Sequence, residues 1–472
     1  MGVWPRLAAC ALLAASARPV SAKGAPREAA PPRVGLPAVQ PALLDCRSPV
    51  VAHETRVAFG TPMKVGETTL AFKAGDRGAV VVTVTAPGAA PGSAPGVQIL
   101  SRTPALLTVE AFSHPYALSV RLAADSGGVS VGSAFGIAIH LGAETAYLVD
   151  SDRDGALGSA GDGVVAPGCR TVAPWCSEVW TRTAAVSVKL DATSGEWRAE
   201  PLPMPHPSDG DHSAGWRLLQ WRRQQAGLLP VAYDASLEAG LLAHLAYLAR
   251  NAVSTHVEDP AKPGYSEAGA AAGIQTTLAP GSPNCVAGVD MLMGTLFHRC
   301  DCLEAGMSRT AMALRSGYFG LMVRILDGPL REAVYVYPPH GMSDVARSFG
   351  AGGEIPMPSG VSIETSLGTC VAAASEAWGG TALDTAPVLV VVPGARKGAA
   401  PVDGTLHYPG HPGGSTIGAD YAGIVALVPG SALPAATTFF CRVRVPWPGA
   451  ALAVAAGEPS EFSYEWEFAT GH

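Results

Sequence analysis

The stretch from residue 221 to residue 250, WRRQQAGLLPVAYDASLEAGLLAHLAYLAR, decides the fold of the middle of this 472-residue chain. Its first residues complete a helix predicted over 214–225, which Ser213 is expected to cap and Gly227 to end. Asp234 is the expected N-cap of a second helix. In that helix leucines recur every three to four residues, which is the spacing of one helix face, at Leu237, Leu241, Leu245 and Leu248. The stretch therefore predicts two consecutive helices with a buried side.

The sequence on both sides of this stretch is typical of β structure. Apolar residues make up 48% of the chain, and its 55 glycines and 40 prolines are about a fifth of all residues. So much Gly and Pro favours turns and short strands. Strands are predicted upstream and downstream of the helices, at 78–85, 106–110, 116–122, 135–140, 317–325, 332–337, 387–393, 422–428, 439–445 and 462–468, and a further helix at 285–295. We therefore expect a multi-domain α+β protein.

The length of the chain predicts several domains rather than one. An early cation, Arg6, an apolar stretch at 7–17 and small residues before a cleavage site after Ala22 are typical of a secretory signal peptide. A flexible Ala-, Pro- and Arg-rich spacer is expected at 23–42. Three folded parts are expected beyond it: an all-β domain, a helix-bearing domain and a C-terminal β-sandwich, at 43–205, 212–328 and 332–472. We therefore expect an exported protein.

Charge argues against nucleic acid as a partner, and hydropathy argues against a transmembrane segment. The formal net charge is −7, and no cluster of Lys and Arg resembles a nucleic-acid-binding arm. No run of about 18 apolar residues follows the signal peptide, so no transmembrane segment is expected. The metalloprotease motif H-E-x-x-H is also missing from the sequence.

The cysteines predict disulfides if the protein is exported. Of the nine cysteines, Cys10 leaves with the signal peptide, and an even number in an oxidising compartment favours disulfides over free thiols. The expected pairs are Cys169 with Cys176 across a short loop, Cys370 with Cys441 between two strands, and Cys285 with either Cys300 or Cys302, which leaves Cys46 for the remaining partner.

The octapeptide DSDRDGAL, which starts at Asp150, opens like a calcium-binding loop. Asp150, Asp152 and Asp154 alternate and a glycine follows, which suits a hard cation that needs several oxygen ligands around a sharp turn. Position twelve is Gly161 instead of Glu, and no helix pattern flanks the loop, so it is not an EF-hand. Asp162, one place later, is the fourth candidate ligand. Either these aspartates bind calcium, or they cap backbone amides in a hairpin turn.

The order of motifs in the middle of the chain resembles the CAP family, named for cysteine-rich secretory proteins, antigen 5 and pathogenesis-related 1 proteins. Bacterial members read A-G-L-P-P-L, a W-D or Y-D pair, L-x-x-x-A-x-x-H-A, S-H and W-M-x-S-P-G-H-R. The similar segments here cover roughly a quarter of the chain, at 226–234, 237–244, 254–256 and 291–299. The resemblance implies an α-β-α sandwich with a cleft in which two His and two Glu gather.

Carried over to this chain, the resemblance makes His256 and His298 the two cleft histidines. The family's G-E-N motif keeps only Asn284, so Glu267 is the candidate for a cleft carboxylate, and Arg299 is a candidate contact for an anionic ligand. Two imidazoles and a carboxylate can hold a zinc-like divalent ion, and the carboxylate can act as a base. Alternatively, both histidines bond backbone groups and only organise the cleft.

Three functions are consistent with the sequence. The first is a secreted or cell-surface, non-enzymatic binding module that takes lipid, glycan or peptide in the His-lined cleft. Its β domains would be spacers or adhesive modules, and the last resembles the Ig-like domains that often follow bacterial CAP domains. The second is a metal-dependent hydrolase or protease built on His256 and His298, and the third is an adhesin with a decayed cleft. Loss of the usual carboxylates argues against the second.

Overall fold

The structure is a computed structural model. It describes residues 42–43, 52–65, 67–75, 79–85, 96–100, 105–111, 114–122, 128–133, 135–155, 157–190, 197–323, 325, 334–349, 354, 367–375, 378, 386–394, 399–408, 423–446 and 461–472. The predicted signal peptide, nearly all of the predicted spacer and Cys46 lie outside the described residues. The described chain is an α+β protein with many sheets and few helices.

From 42 to 201 the described residues form strands and loops without a helix. The strands are β1 (Ala42–Leu43), β2 (Ala52–Ala58), β3 (Pro62–Val65), β4 (Thr68–Ala74), β5 (Val80–Thr85), β6 (Gly96–Leu100), β7 (Ala105–Ala111), β8 (His114–Leu122), β9 (Gly128–Ser133), β10 (Phe135–Leu141), β11 (Glu144–Val149), β12 (Gly163–Val165), β13 (Val172–Pro174), β14 (Glu178–Trp180), β15 (Ala185–Leu190) and β16 (Trp197–Pro201). They make four sheets, in the orders β2-β9-β8-β7, β3-β4-β5-β6, β1-β10-β11-β12-β13 and β14-β15-β16.

The alternating sequence of these strands places apolar side chains on one face of each sheet. In β4, Leu70 and Phe72 are buried, whereas Thr69 and Ala71 are more exposed. This alternation is expected because successive side chains of a strand point to opposite faces. The first two sheets share one apolar core, and burying each large side chain in it contributes about 1.5 to 3 kcal/mol.

The five helices in the described part of the chain lie between residues 210 and 302. In chain order the elements are α1 (Gly210–Gln225), β17 (Ala232–Tyr233), α2 (Ala235–Asn251), α3 (Glu267–Gly273), β18 (Thr276–Pro280), α4 (Cys285–Met293), α5 (Phe297–Cys302), β19 (Arg309–Thr310), β20 (Met312–Arg315) and β21 (Tyr318–Met322). Among the described residues, no helix is both long enough and apolar enough to cross a membrane.

The two helix starts predicted from the sequence have different outcomes. Asp234 caps α2 as predicted, and its side chain accepts the amide hydrogen of Ser236. The prediction that Ser213 caps the first helix is wrong. Asp209 accepts the amides of Asp211 and His212 instead, so α1 begins one turn earlier.

Helices pack on both faces of the sheet β18-β21-β20. Along β20 and β21, Met312 and Leu321 belong to the apolar core that contains residues of α1 and α4. Ala313 and Met322 belong to the core that contains Leu241 and its neighbours in α2. Adjacent strand residues therefore serve different cores, because their side chains point to opposite sides of the sheet.

The C-terminal residues return to β structure. The strands are β22 (Tyr335–Tyr337), β23 (Ser348–Phe349), β24 (Leu367–Gly368), β25 (Val371–Ala374), β26 (Val388–Pro393), β27 (Gly404–His407), β28 (Ile424–Pro429), β29 (Thr438–Pro446) and β30 (Glu461–Ala469). They form the sheets β22-β25-β28-β27 and β26-β29-β30 and the pair β23-β24. Alternate side chains of β29 are buried in a core to which both larger sheets contribute.

The predicted disulfide between Cys370 and Cys441 is wrong. All seven cysteines among the described residues are free thiols. Cys370 and Ala372 belong to the core that contains α1 and α4, whereas Val371 faces the core that contains Cys441. The strand alternation of β25 therefore directs the Cys370 thiol away from Cys441.

The predicted pair Cys169 and Cys176 is also wrong. The Cys169 thiol lies 3.3 Å from the carbonyl oxygen of Ala166, and the Cys176 thiol lies 3.2 Å from that of Glu178. The extended strand β13 separates the two cysteines, so a loop short in sequence does not bring their sulfur atoms together.

The predicted bond from Cys285 to Cys300 or Cys302 is also wrong, because all three residues are free thiols. A Cβ on Gly215 would lie 2.7 Å from the Cβ of Cys285. The carbonyl of Cys302 accepts a hydrogen bond from Arg223 at 2.9 Å, and Cys300 is in the same short helix as Cys302. Cys285 thus packs against the first half of α1, whereas the carbonyl of Cys302 meets the guanidinium of an arginine from its last turn.

Candidate functional site

His298 is held by an acid from the C-terminal region. Its Nδ1 lies 3.0 Å from Oε1 of Glu354 and 2.9 Å from Oγ1 of Thr295. Glu354 is only 1% exposed, and its carboxylate also accepts the amides of Leu296 and Phe297. These amides lie at the start of α5 and have no partner within the helix, so Glu354 caps α5 while it holds the imidazole.

Arg299 is buried and connects α5 to the C-terminal sheet. Its guanidinium carbon lies 3.9 Å from the ring centroid of Tyr337, and its Nη2 donates to the carbonyl oxygen of Cys370 at 3.1 Å. Nη1 reaches the carbonyl oxygen of Met293 at 3.5 Å. The predicted anion contact is thus engaged in packing and cation–π contact inside the protein.

His256, by contrast, is exposed at the surface. Its Nδ1 lies 3.2 Å from the carbonyl oxygen of Gly273, the last residue of α3. Val257, which follows His256, is 67% exposed, and Ile274, which follows Gly273, is 56% exposed. Both values are high for aliphatic residues. The two residues that follow His256 and Gly273 in the chain therefore expose aliphatic side chains to solvent.

The other two predicted cleft residues start helices. Glu267 is exposed in the first turn of α3, where its negative charge is favourable because helix N-termini are electropositive. Asn284 caps α4, and its Oδ1 accepts the amide hydrogen of Ala287 at 2.8 Å. Both residues have a structural task that their residue types explain.

A buried His–Glu pair was not anticipated from the sequence. Nδ1 of His244 in α2 lies 3.0 Å from Oε1 of Glu258, and both side chains are fully buried. Nε2 of His244 lies 3.1 Å from the carbonyl oxygen of Thr255, and Glu258 Oε2 accepts the amide of Ser266. A Cβ on Gly273 would lie only 2.6 Å from the imidazole of His244. The pair holds the segment that carries His256 between α2 and α3. The only feature of the sequence that could have indicated the pair is the Glu two residues after His256.

A second unanticipated group joins the segment just before α1 to α1 and α2. Nε2 of His206 lies 2.9 Å from Oε2 of Glu238 and 3.0 Å from the hydroxyl of Tyr233. The His212 ring centroid lies 4.6 Å from that of His206, and its Nε2 is 3.1 Å from the carbonyl oxygen of Met312. Burial lowers the pKa of His212 and raises the pKa of Tyr233.

Three of the four predicted calcium ligands come together. One ligand oxygen from each of Asp150, Asp152 and Asp162, hereafter the aspartate cluster, lies within 4.8 Å of the others. Asp154 is outside this cluster. Asp150 and Asp162 are buried and Asp152 is exposed. Burial raises the pKa of Asp162, and the negative charges of Asp152 and Asp154 raise it further. Hydrogen bonds from the backbone amides of Ser159 and Gly158 act in the opposite direction.

His256 and His298, the two histidines predicted to hold a metal ion, are not part of a cluster of ligand atoms. Among the described residues, the aspartate cluster is the one group of three or more His, Cys, Asp or Glu whose ligand atoms lie this close together. Neither His256 nor His298 belongs to such a group. The arrangement can therefore present His256 to a ligand at the surface, while His298 and Arg299 stabilise the interior.

No protein-family model and no curated protein matches the chain. An extracellular protein containing an SCP domain from Bacillus anthracis is 10% identical with a TM-score of 0.22, over 57% of this chain and 89% of that one. A cysteine-rich secretory protein from Staphylococcus aureus is 9% identical with a TM-score of 0.18, over 58% and 86%.

Proposed function

We propose that this chain is an exported, non-enzymatic binding protein with a CAP-like middle region whose ligand surface centres on His256. The helices on both faces of β18-β21-β20 support the α-β-α sandwich that the motif resemblance implies for 212–328. The all-β part at 43–205 and an Ig-like sandwich at 332–472 are spacers or adhesive modules. In this proposal the signal peptide is cleaved after Ala22 and the mature chain is exported.

The exposed apolar side chains beside His256 carry the proposal. Val257 and Ile274 are the two most exposed large hydrophobic residues among those described. Val257 directly follows His256 in the chain, and Ile274 follows Gly273, whose carbonyl oxygen contacts the imidazole. Exposed apolar side chains grouped around a polar group are a common feature of ligand-binding surfaces. Of lipid, glycan and peptide, a lipid best matches two aliphatic side chains and one imidazole.

The positions of the other predicted site residues support binding over catalysis. A metal-dependent hydrolase needs its base and its metal ligands around one bound substrate. Here His298 is held by Glu354, Arg299 by Tyr337, and Glu267 lies exposed at the start of α3. This dispersed arrangement favours the binding module over the metal-dependent hydrolase.

Titration of the full chain with a fluorescent long-chain fatty acid tests the proposal. We expect saturable binding that Val257→Ser or Ile274→Ser weakens about tenfold or more, because burying one aliphatic side chain contributes about 1.5 kcal/mol or more. Val388→Ser is the matched control, since Val388 is 46% exposed on β26 in the C-terminal region. No binding by the wild type, or an equal loss in the control, would overturn the proposal.

A further inference from the structure

The loop between β11 and β12 holds the aspartate cluster in a closed frame. Val149 pairs with Gly163 across its two ends, so the strand ladder fixes where the loop begins and finishes. Gly161 lets the chain pass close to the cluster, because a Cβ at that position would overlap the carboxylate of Asp152. The proximity of the three carboxylates is therefore built into the backbone path.

Backbone amides use only part of the oxygen atoms in this loop. Oδ1 and Oδ2 of Asp150 accept amides of the loop at 2.6 and 2.9 Å. Oδ2 of Asp162 accepts the amides of Gly158 and Ser159 at 2.6 and 2.7 Å. The other oxygen, Asp162 Oδ1, is buried without a hydrogen-bond partner among the described residues, and Asp162 is 3% exposed. Ser151 Oγ, next to Asp150 in the sequence, is likewise buried without a partner there.

These features favour the binding of a cation between the three carboxylates. Three carboxylates within 4.8 Å of one another repel, and the repulsion is stronger where two of them are buried. A buried carboxylate oxygen without a donor is costly, and such atoms in a folded protein call for an explanation. A cation between the carboxylates removes both costs at once.

We propose that the loop from 150 to 162 binds one calcium ion through Asp150, Asp152 and the unpartnered oxygen of Asp162. Calcium fits because it accepts several protein oxygens in irregular geometry, including oxygens that also accept amide hydrogens, whereas magnesium needs near-ideal octahedral geometry and retains its waters. Asp154 takes no part in the group, and its amide instead donates to Asp152 Oδ1 at 3.2 Å. The site is separate from the surface around His256.

Calorimetric titration of the full chain with calcium chloride, after removal of divalent ions with a chelator, tests this site. We expect one calcium ion per chain in the wild type. Asp152→Asn removes one ligand charge at an exposed position but keeps an oxygen for the amide of Asp154, so the variant should fold. It should weaken calcium binding by more than about tenfold, since even residues behind the ligands contribute that much.

Asp154→Asn is the matched control, because it makes the same charge change in the same loop outside the aspartate cluster. We expect it to bind calcium like the wild type, and circular dichroism shows whether each variant is folded. Absence of calcium binding by the wild type would overturn the site. So would equal weakening by the two variants, or magnesium binding as tight as calcium binding. Fatty-acid titration of Asp152→Asn separates this result from the proposed lipid surface, which should be unaffected.

Discussion

Nδ1 of His298 lies 3.0 Å from Oε1 of Glu354, although the two residues are separated by 56 positions in the chain. The carboxylate at once neutralises a helix start and fixes an imidazole, and it comes from the C-terminal β region. The helix-bearing part and the C-terminal part are therefore joined by a buried polar contact as well as by the Arg299–Tyr337 contact.

Removal of the Glu354 carboxylate should strongly destabilise the protein. Glu354→Ala leaves His298 and the amides of Leu296 and Phe297 without their acceptor in a buried place, which should cost about 3 to 5 kcal/mol. Urea unfolding measures this loss. Glu465→Ala, which breaks an exposed pair with Arg442, is the control and should cost less than about 1 kcal/mol. Similar losses in the two variants would contradict the assignment.

Gly273 should tolerate no side chain. A Cβ there would lie 2.6 Å from His244 and from the carbonyl oxygen of His256, so Gly273→Ala should lower the free energy of unfolding by about 1 to 3 kcal/mol. Gly430→Ala is the comparison, because no atom lies within 4 Å of its new Cβ. Thermal unfolding of both variants is the measurement, and an unchanged Gly273→Ala would refute the packing around His244.

Acid should destabilise the protein through His212. Burial lowers the pKa of this imidazole in the folded state below its unfolded value of about 6.5. The unfolded chain therefore binds the proton more readily, so stability falls as the pH drops below about 6.5. The free energy of unfolding should decrease less between pH 7 and pH 5 in His212→Gln than in the wild type. An equal decrease in His212→Gln and in the wild type would contradict this role of His212.

The buried cysteines should react slowly while the protein is folded. Burial raises the pKa of Cys169 and of Cys300 to about 12, so almost no thiolate forms at neutral pH. We expect iodoacetamide to label these thiols only after unfolding. Non-reducing peptide mapping that finds a bridge between Cys370 and Cys441 would contradict the structure.

Local patterns explain which elements could be predicted. The leucine spacing and the Asp234 cap place α2, and alternating β-branched residues place strands such as β5 and β29, because periodicity and capping act within a few residues. The helix α5 was not predicted because it is six residues long, and its start is capped by the distant Glu354 instead of a neighbouring residue.

The aspartates of the β11–β12 loop are close in sequence, so the sequence alone identified Asp150, Asp152 and Asp162 as candidate ligands. Tertiary structure alone decided that Asp154 stays outside, that Cys370 faces away from Cys441, and that His298 is buried while His256 is exposed. The physical reason is range: turns and helix faces depend on neighbouring residues, whereas burial and strand-face direction depend on elements packed from distant parts of the chain.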